Sequence, residues 1–224
     1  KRERKQTADL FDAGMIVEIS DLSALRHLPQ GQPFWVGPLV NVYNEGTLRW
    51  LAAQGAERVC LPPELPIESV RRLAQVGAEC GVAIEVWGHG RAPLAISARC
   101  YHARLHDRIK DNCQFVCGDD PDGRDVDTLD EQKFLVANGV QTLSHATTSM
   151  VRHCDLLREA GVSALRLSPQ SQHFVEICEG YASVLDGARD AEAFARDLVH
   201  LVPDGQLADG FLTGACGADW SGAA

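Results

Sequence analysis

Short runs of β-branched and apolar residues alternate along this chain with longer stretches of helical periodicity. The predicted helices cover 45–53, 67–80 and 148–160, and Gly55, Gly81 and Gly161 follow them at positions suited to helix ends. Such a repeat suits parallel strands joined by crossover helices. We therefore predict an α/β fold, a (β/α) barrel-like domain, with a doubly wound sheet as the alternative. The predicted buried strands are 15–19, 34–37, 58–61, 82–86, 139–143 and 164–167.

The number of predicted strands is smaller than a closed barrel requires. Six strands are predicted here, whereas a (β/α) barrel has eight. The chain also begins without methionine, partway into a helical pattern. We therefore expect residues 1–224 to form one partial barrel-like domain that lacks the first one or two βα units.

Three cysteines concentrate in the long segment between the predicted strands 82–86 and 139–143. Cys100, Cys113 and Cys117 lie in an insertion at about 97–133, and long insertions in α/β folds usually carry function. Three thiolates suit an iron–sulfur cluster. They also suit zinc, with His102 or His106 as a fourth ligand, although the spacing is unlike that of zinc fingers. Unligated loop cysteines are the third interpretation.

Composition excludes several classes of function. The formal net charge of −10 argues against a surface for nucleic acid or anionic lipid. No apolar run approaches the length of about 20 residues that spans a bilayer, and we expect a cytoplasmic protein. The other cysteines mostly stand singly in apolar runs, where a buried thiol in a reducing compartment is the simpler explanation.

The cysteine segment resembles a known family. Residues 85–100, EVWGHGRAPLAISARC, followed by Lys110-Asp111-Asn112-Cys113 and Cys117, are similar to the signature of the U32 peptidase family. Within that family, the form Ser-Ala-Arg-Cys resembles the branch that acts in oxygen-independent ubiquinone hydroxylation, whereas other relatives carry Ser-Gly-Arg-Cys. Shorter matches occur in the same order at 41–44, 61–65, 138–142 and 165–170.

The resemblance implies a cofactor and partners. It implies that Cys100, Cys113 and Cys117 are three of the four cysteines that hold a [4Fe-4S] cluster, with the fourth expected in an N-terminal segment absent from this chain. It also implies a heterodimer with a homologous UbiU-like subunit, a UbiT-like lipid-binding accessory protein, and prephenate as the hydroxyl donor. The implied function is the iron–sulfur subunit of a hydroxylase. The alternative is a non-catalytic scaffold in which zinc or an iron–sulfur cluster only stabilises the fold of the loop.

Further polar residues are candidates for substrate binding. Arg99, Arg104 and Arg166 offer guanidinium groups for the carboxylates of such a donor. Glu85 lies within an apolar strand and needs a partner, for which Arg99 and Arg166 are candidates. Asn44 either lines a pocket or caps the helix that begins at residue 45. His89 and His145 are either acid–base groups or core histidines.

The word peptidase in the family's name finds no support in the sequence motifs. The chain has neither a Gly-x-Ser-x-Gly elbow nor a His-Glu-x-x-His helix, and no cysteine stands in a recognisable nucleophile context. We therefore expect that it is not a protease.

Overall fold

The computed structural model describes residues 2–222, which form two compact units. The first unit contains residues 2–87 and 155–166, and the second contains residues 88–154 and 167–222. Strand β4, Ala83–Ile96, begins in the first unit and ends in the second. Among the described residues, no helix combines the length and the apolar character needed to cross a bilayer.

The first unit is built from parallel strands and the helices that connect them. Strands β1 to β4 pair in chain order, all parallel, and β8 pairs with β4. Phe34, Val36 and Val59 point from the strands into a core that also contains Leu48 and Leu51 of α2, all of them buried. The elements are α1 Arg2–Phe11, β1 Val17–Ile19, β2 Phe34–Val36, α2 Glu45–Ala53, β3 Ala56–Cys60, α3 Ile67–Cys80, the start of β4, α5 Cys154–Glu159 and β8 Ala164–Leu167, with 3₁₀ turns at Leu22–His27 and Pro38–Val40.

This unit confirms most of the sequence prediction. Helices α2 and α3 have the predicted bounds, and the four short predicted strands correspond to β1, β2, β3 and β8. Gly81 ends α3 in the left-handed conformation, with φ of 73°. That conformation costs glycine little, which is why the glycine signal located the helix end correctly.

The second unit is an antiparallel sheet with helices from the C-terminal part of the chain. The second part of β4 pairs antiparallel with β7, and β7, β6 and β5 continue as a meander. The short strand β9 pairs parallel with β7. The remaining elements are α4 Tyr101–Leu105, β5 Arg124–Asp127, β6 Lys133–Asn138, β7 Gln141–Ser149, α6 Phe174–Leu185, α7 Ala191–Leu198, β9 Leu207–Ala208 and α8 Gly210–Thr213, with 3₁₀ turns at Lys110–Asn112, Val116–Asp119, Val151–His153 and Pro203–Gly205.

Two sequence predictions about this unit were wrong. The predicted helix over 148–160 begins only at Cys154, because Thr148 and Ser149 belong to β7 and pair with β4. The strand predicted at 139–143 was expected to be parallel to its neighbours, yet β7 runs antiparallel to β4 and to β6. The tight β6–β7 connection explains the second error, because Gly139 has a φ of 62° there and closes a hairpin rather than a crossover. The mixed α/β class is confirmed, and the barrel-like arrangement stays a prediction.

Candidate functional site

The three candidate cysteines lie in the cysteine loop, residues 97–123, which connects β4 to β5 in the second unit. Cys100 is buried and caps α4, because its Sγ accepts the Ala103 backbone N–H at 3.4 Å. Cys113 follows a 3₁₀ turn, and its Sγ accepts the Phe115 N–H at 3.4 Å. Cys117 lies in the next turn, Val116–Asp119. Hydrogen bonds to sulfur are among the features that tune a thiolate-bound iron–sulfur cluster.

The possible metal-ligand atoms of the described residues group without the cysteine sulfurs. Within residues 2–222, no group of three ligand atoms within 4.8 Å of one another includes a cysteine sulfur. One tetrahedral zinc, with Zn–S bonds of about 2.3 Å, needs its sulfurs closer together than that. The three sulfurs are not gathered within that distance in residues 2–222, and the zinc and iron–sulfur interpretations both stay predictions. In a [4Fe-4S] cluster each cysteine binds a different iron, so its thiolates stand further apart.

A basic pocket adjoins Cys100. Its volume is about 590 Å³. Four basic residues, one acidic residue, Cys100 and two apolar residues line it: Ala98, Arg99, Cys100, Arg104, Asp107, Arg108, Ile109 and Lys110. In the described part of the chain, the side chains of Arg99, Arg104 and Lys110 have no hydrogen-bond or salt-bridge partner. Three unpaired basic side chains in one pocket favour the binding of a small anion that carries more than one negative charge.

An apolar pocket lies against helix α4, which also contributes Arg104 to the basic pocket. Its volume is about 380 Å³, and its lining is Tyr101, Arg104, Leu105, Val126, Leu135, Ala137 and Thr142. Arg104 lines both pockets. A ligand that combines an apolar ring with carboxylates would therefore find an apolar and a basic surface next to Arg104.

Glu85 and Arg166 meet in the first unit, as the sequence indicated. Arg166 donates through Nη1 to Glu18 at 2.8 Å and through Nε to Glu85. Arg58 approaches Glu85 at 3.7 Å and stacks on Trp35, with its guanidinium carbon 4.1 Å from the ring centre. The hydrogen bond to Glu18 raises the pKa of Arg166 above its ordinary value, against the opposing effect of burial. We call Glu18, Arg58, Glu85 and Arg166 the Arg166 cluster.

The buried thiol beside the Arg166 cluster is inert. Burial raises the pKa of Cys60, which keeps its sulfur protonated at neutral pH. None of the eight cysteines, all within residues 2–222, forms a disulfide, and Cys60 and Cys154 are buried outside the cysteine loop. These two fit the interpretation of single cysteines as small hydrophobic residues.

Asn44 acts as a helix cap. Its side-chain oxygen accepts the Thr47 N–H at 2.8 Å at the start of α2, so the capping interpretation is confirmed. A role in substrate binding stays a prediction. The neighbouring Tyr43 donates to Glu64 at 2.5 Å, and burial, together with this bond, raises the pKa of Tyr43 to about 12.

His89 and His145 are both buried in the second unit. His89 Nε2 lies 3.3 Å from Gln170 Oε1, while its Nδ1 is buried without a hydrogen-bond partner in residues 2–222. Burial lowers the pKa of His89 to about 4, so its ring is neutral at physiological pH. His145 lies between Asp125, at 3.5 Å, and Asp204, at 3.8 Å.

Two residues of the basic pocket were missed by the sequence reasoning. Arg108 and Lys110 line it beside the predicted Arg99 and Arg104. The available signal was the density of basic residues in 99–110, which is unusual in a chain of net charge −10. Arg108 also fixes the loop, because it donates to the Cys113 carbonyl at 3.1 Å.

Ser221, His153 and Asp209 lie close together, but the side chain in the middle is not the one that a catalytic triad requires. Asp209 accepts from His153 Nε2 at 2.7 Å and from the Ser221 backbone N–H at 2.8 Å. The Ser221 hydroxyl also bonds to Asp209. In a catalytic triad the histidine lies between the other two residues and takes the serine proton. Here the carboxylate lies between them, which is a structural arrangement.

Comparison with known families gives the class of the protein. The family model described as Peptidase family U32 matches residues 7–221, and the chain therefore belongs to this family. No solved structure matches the chain.

Proposed function

We propose that this protein is the iron–sulfur subunit of an oxygen-independent ubiquinone hydroxylation system, similar to the ubiquinone biosynthesis protein UbiV. The observation that carries the proposal is that Cys100 lines a pocket together with the unpaired cations Arg99 and Arg104. A metal ligand and an anion site in one cavity are what a redox subunit with an anionic donor needs. Prephenate, a dicarboxylate, is the proposed hydroxyl donor.

Cys100, Cys113 and Cys117 are the proposed ligands of a [4Fe-4S] cluster. When bound, such a cluster supplies one-electron chemistry, and an iron without a protein thiolate can bind substrate. With three cysteines from this loop, the fourth ligand comes from elsewhere. The free thiols of the chain suit a reducing compartment, and we propose the cytoplasm.

The side chains around the cysteines would bind and orient the donor. Arg99 and Arg104 pair with its carboxylates, since guanidinium groups bind carboxylates in a defined plane. Tyr101 and Leu105 offer apolar surface to its ring from the adjoining pocket. Binding of this kind fixes the donor with respect to Cys100 and excludes water from the apolar side.

The proposed partners are a homologous UbiU-like subunit and a UbiT-like lipid-binding protein. Support for a partner surface comes from two apolar side chains of the cysteine loop that are largely exposed. Ile109 is 69% exposed and Phe115 is 82% exposed. Phe115 also holds a left-handed backbone conformation, with φ of 55°. Exposed apolar groups of this size are typical of surfaces that a partner covers.

Cysteine substitution tests the cofactor assignment. Cys113→Ala, purified without oxygen, should lose iron and acid-labile sulfide completely, because it removes one thiolate from the loop. Cys216→Ala is the matched control, since Cys216 is an exposed thiol outside the loop and should leave the iron content unchanged. Stoichiometric iron in the Cys113→Ala protein would contradict the ligand assignment.

Turnover distinguishes the hydroxylase from the scaffold alternative. The protein, reconstituted without oxygen with its homologous partner, a prenylated phenol and prephenate, should hydroxylate the ring in a cluster-dependent reaction. A metal that stays redox-silent while the complex still assembles would instead support the scaffold with a structural metal.

A further inference from the structure

Helix α4 brings two histidines next to an aspartate that follows the turn Val116–Asp119. His102 lies in α4, and His106 caps its C-terminal end one turn later. Their rings are parallel, with an interplanar angle of 5° and centres 6.0 Å apart. Asp120 follows the turn that carries Cys117, and its Oδ2 lies 2.8 Å from His102 Nε2. One ligand atom from each of the three residues lies within 4.8 Å of the others.

The ring nitrogens of this group are not fully used by the protein. His102 is completely buried, yet its Nδ1 has no hydrogen-bond partner in the described part of the chain. The Nε2 of His106 is likewise buried and unpartnered there. Buried polar atoms in native proteins are nearly always paired, so the unpartnered His106 Nε2 needs an explanation such as an ion or water. His102 faces Asp120 through its other nitrogen, Nε2. Asp120 also forms a long ion pair with Arg124, at 4.0 Å.

We propose that His102, His106 and Asp120 form a mononuclear site for a divalent transition metal of the zinc or iron(II) kind. Two imidazoles and one carboxylate are a ligand set that such ions prefer, and it leaves coordination positions open for water or substrate. The site is separate from the cysteines, because no sulfur belongs to the group. The proposal does not depend on the iron–sulfur function.

The proposed metal site would connect helix α4 to the turn that contains Cys117. Its ligands lie on α4, which Cys100 caps, and directly after the turn that contains Cys117. A bound ion therefore links the two segments that carry these cysteines. It also fixes α4, whose Arg104 lines both pockets.

Cobalt titration tests the site with a direct spectroscopic readout. In a protein carrying Cys100→Ser, Cys113→Ser and Cys117→Ser, Co²⁺ should bind with one ion per chain and give visible d–d bands without a thiolate charge-transfer band. Serine at residue 100 keeps a capping acceptor for α4. Zn²⁺ and Fe²⁺ are then added separately as competitors. Zn²⁺ should displace the cobalt, whereas Fe²⁺, which precedes Co²⁺ in the Irving–Williams order, should do so only in excess.

Two ligand variants and one control decide the outcome. His106→Ala and Asp120→Asn should each weaken Co²⁺ binding by at least about tenfold, whereas His200→Ala, at an exposed histidine elsewhere, should not. Asp120→Asn keeps a hydrogen-bonding group beside His102, so its effect reports the lost carboxylate. Cobalt affinity unchanged by both variants would overturn the proposal. Should the serine variant fail to fold, X-ray absorption of cobalt is compared between the wild-type chain and His106→Ala. Loss of nitrogen ligands in His106→Ala supports the site, and cobalt spectra that are identical in the two proteins overturn it.

Discussion

Arginines are used in opposite ways in the two units of the molecule. In the Arg166 cluster of the first unit, Arg166 bonds two carboxylates, Glu18 and Glu85, and Arg58 approaches the second of them. In the basic pocket of the second unit, Arg99 and Arg104 have no such partner within residues 2–222. Paired charges hold a fold together, whereas unpaired charges in a pocket remain available for a ligand. From this comparison we expect an anionic ligand to bind in the second unit.

The largest stability effect is expected from the Arg166 cluster. Arg166→Ala should lower the free energy of unfolding by about 3 kcal/mol, because it leaves the buried Glu85 carboxylate without its main partner. Urea denaturation measures this change.

Arg104→Ala is the matched control in the basic pocket. It should change the free energy of unfolding by no more than about 0.5 kcal/mol, since it breaks no ion pair. Equal losses in both variants would remove the distinction between structural and ligand-binding arginines.

Acid should weaken the second unit through His89. Its pKa is lowered from 6.5 to about 4 in the folded protein, so between these values the unfolded chain binds more protons. Stability is therefore full above about pH 6.5 and falls by about 3 kcal/mol as the pH drops to 4. His89→Gln should remove most of that pH dependence in urea denaturation at a series of pH values, while His200→Ala should retain it. An unchanged pH profile in His89→Gln would show that His89 does not control it.

Measured prephenate affinity further distinguishes the basic pocket from the Arg166 cluster. This prediction rests on the proposed function. Arg104→Ala should weaken prephenate binding about 10- to 100-fold in calorimetric titration, the loss expected for one or two charge-assisted hydrogen bonds. Arg196→Ala removes the same charge from an exposed position outside the pocket and should leave the affinity unchanged. Equal effects of both substitutions would indicate general electrostatic attraction rather than a defined site.

The smallest effect concerns Asn44. Asn44→Ala should cost about 1 kcal/mol of stability through the lost cap of α2, and Asn44→Ser should restore most of it. Prephenate affinity should be the same in both variants. Loss of affinity in the serine variant, with stability retained, would give Asn44 the substrate role that its position also suggested.

Local sequence signals predicted the first unit well. The helical periods of α2 and α3 and the left-handed Gly81 depend on neighbouring residues, and the structure follows them. The second unit depends on pairing between distant residues. Strand β4 extends to Ile96 because β7 pairs with it, and nothing within 83–96 signals that partner.

In the candidate site, too, contacts between residues close in sequence were predicted and contacts between distant residues were not. Cys100, Arg99 and Arg104 were found because they are close in sequence, and they do line one pocket. The contact between His102 and Asp120 spans 18 residues and depends on how the cysteine loop folds back. Spacing alone suggested that His102 or His106 would join the cysteines, whereas the structure groups both with Asp120.

Electron paramagnetic resonance of the oxygen-free protein tests the central claim, that the cysteine loop holds a redox-active cluster beside an anion pocket. After reduction, the account predicts the signal of a reduced [4Fe-4S] cluster, absent in Cys113→Ala, whose g values shift when prephenate is added. The shift follows from Cys100 lining the pocket that binds the donor. A protein with no iron signal, or a cluster signal that prephenate at saturating concentration leaves unchanged, would contradict the account.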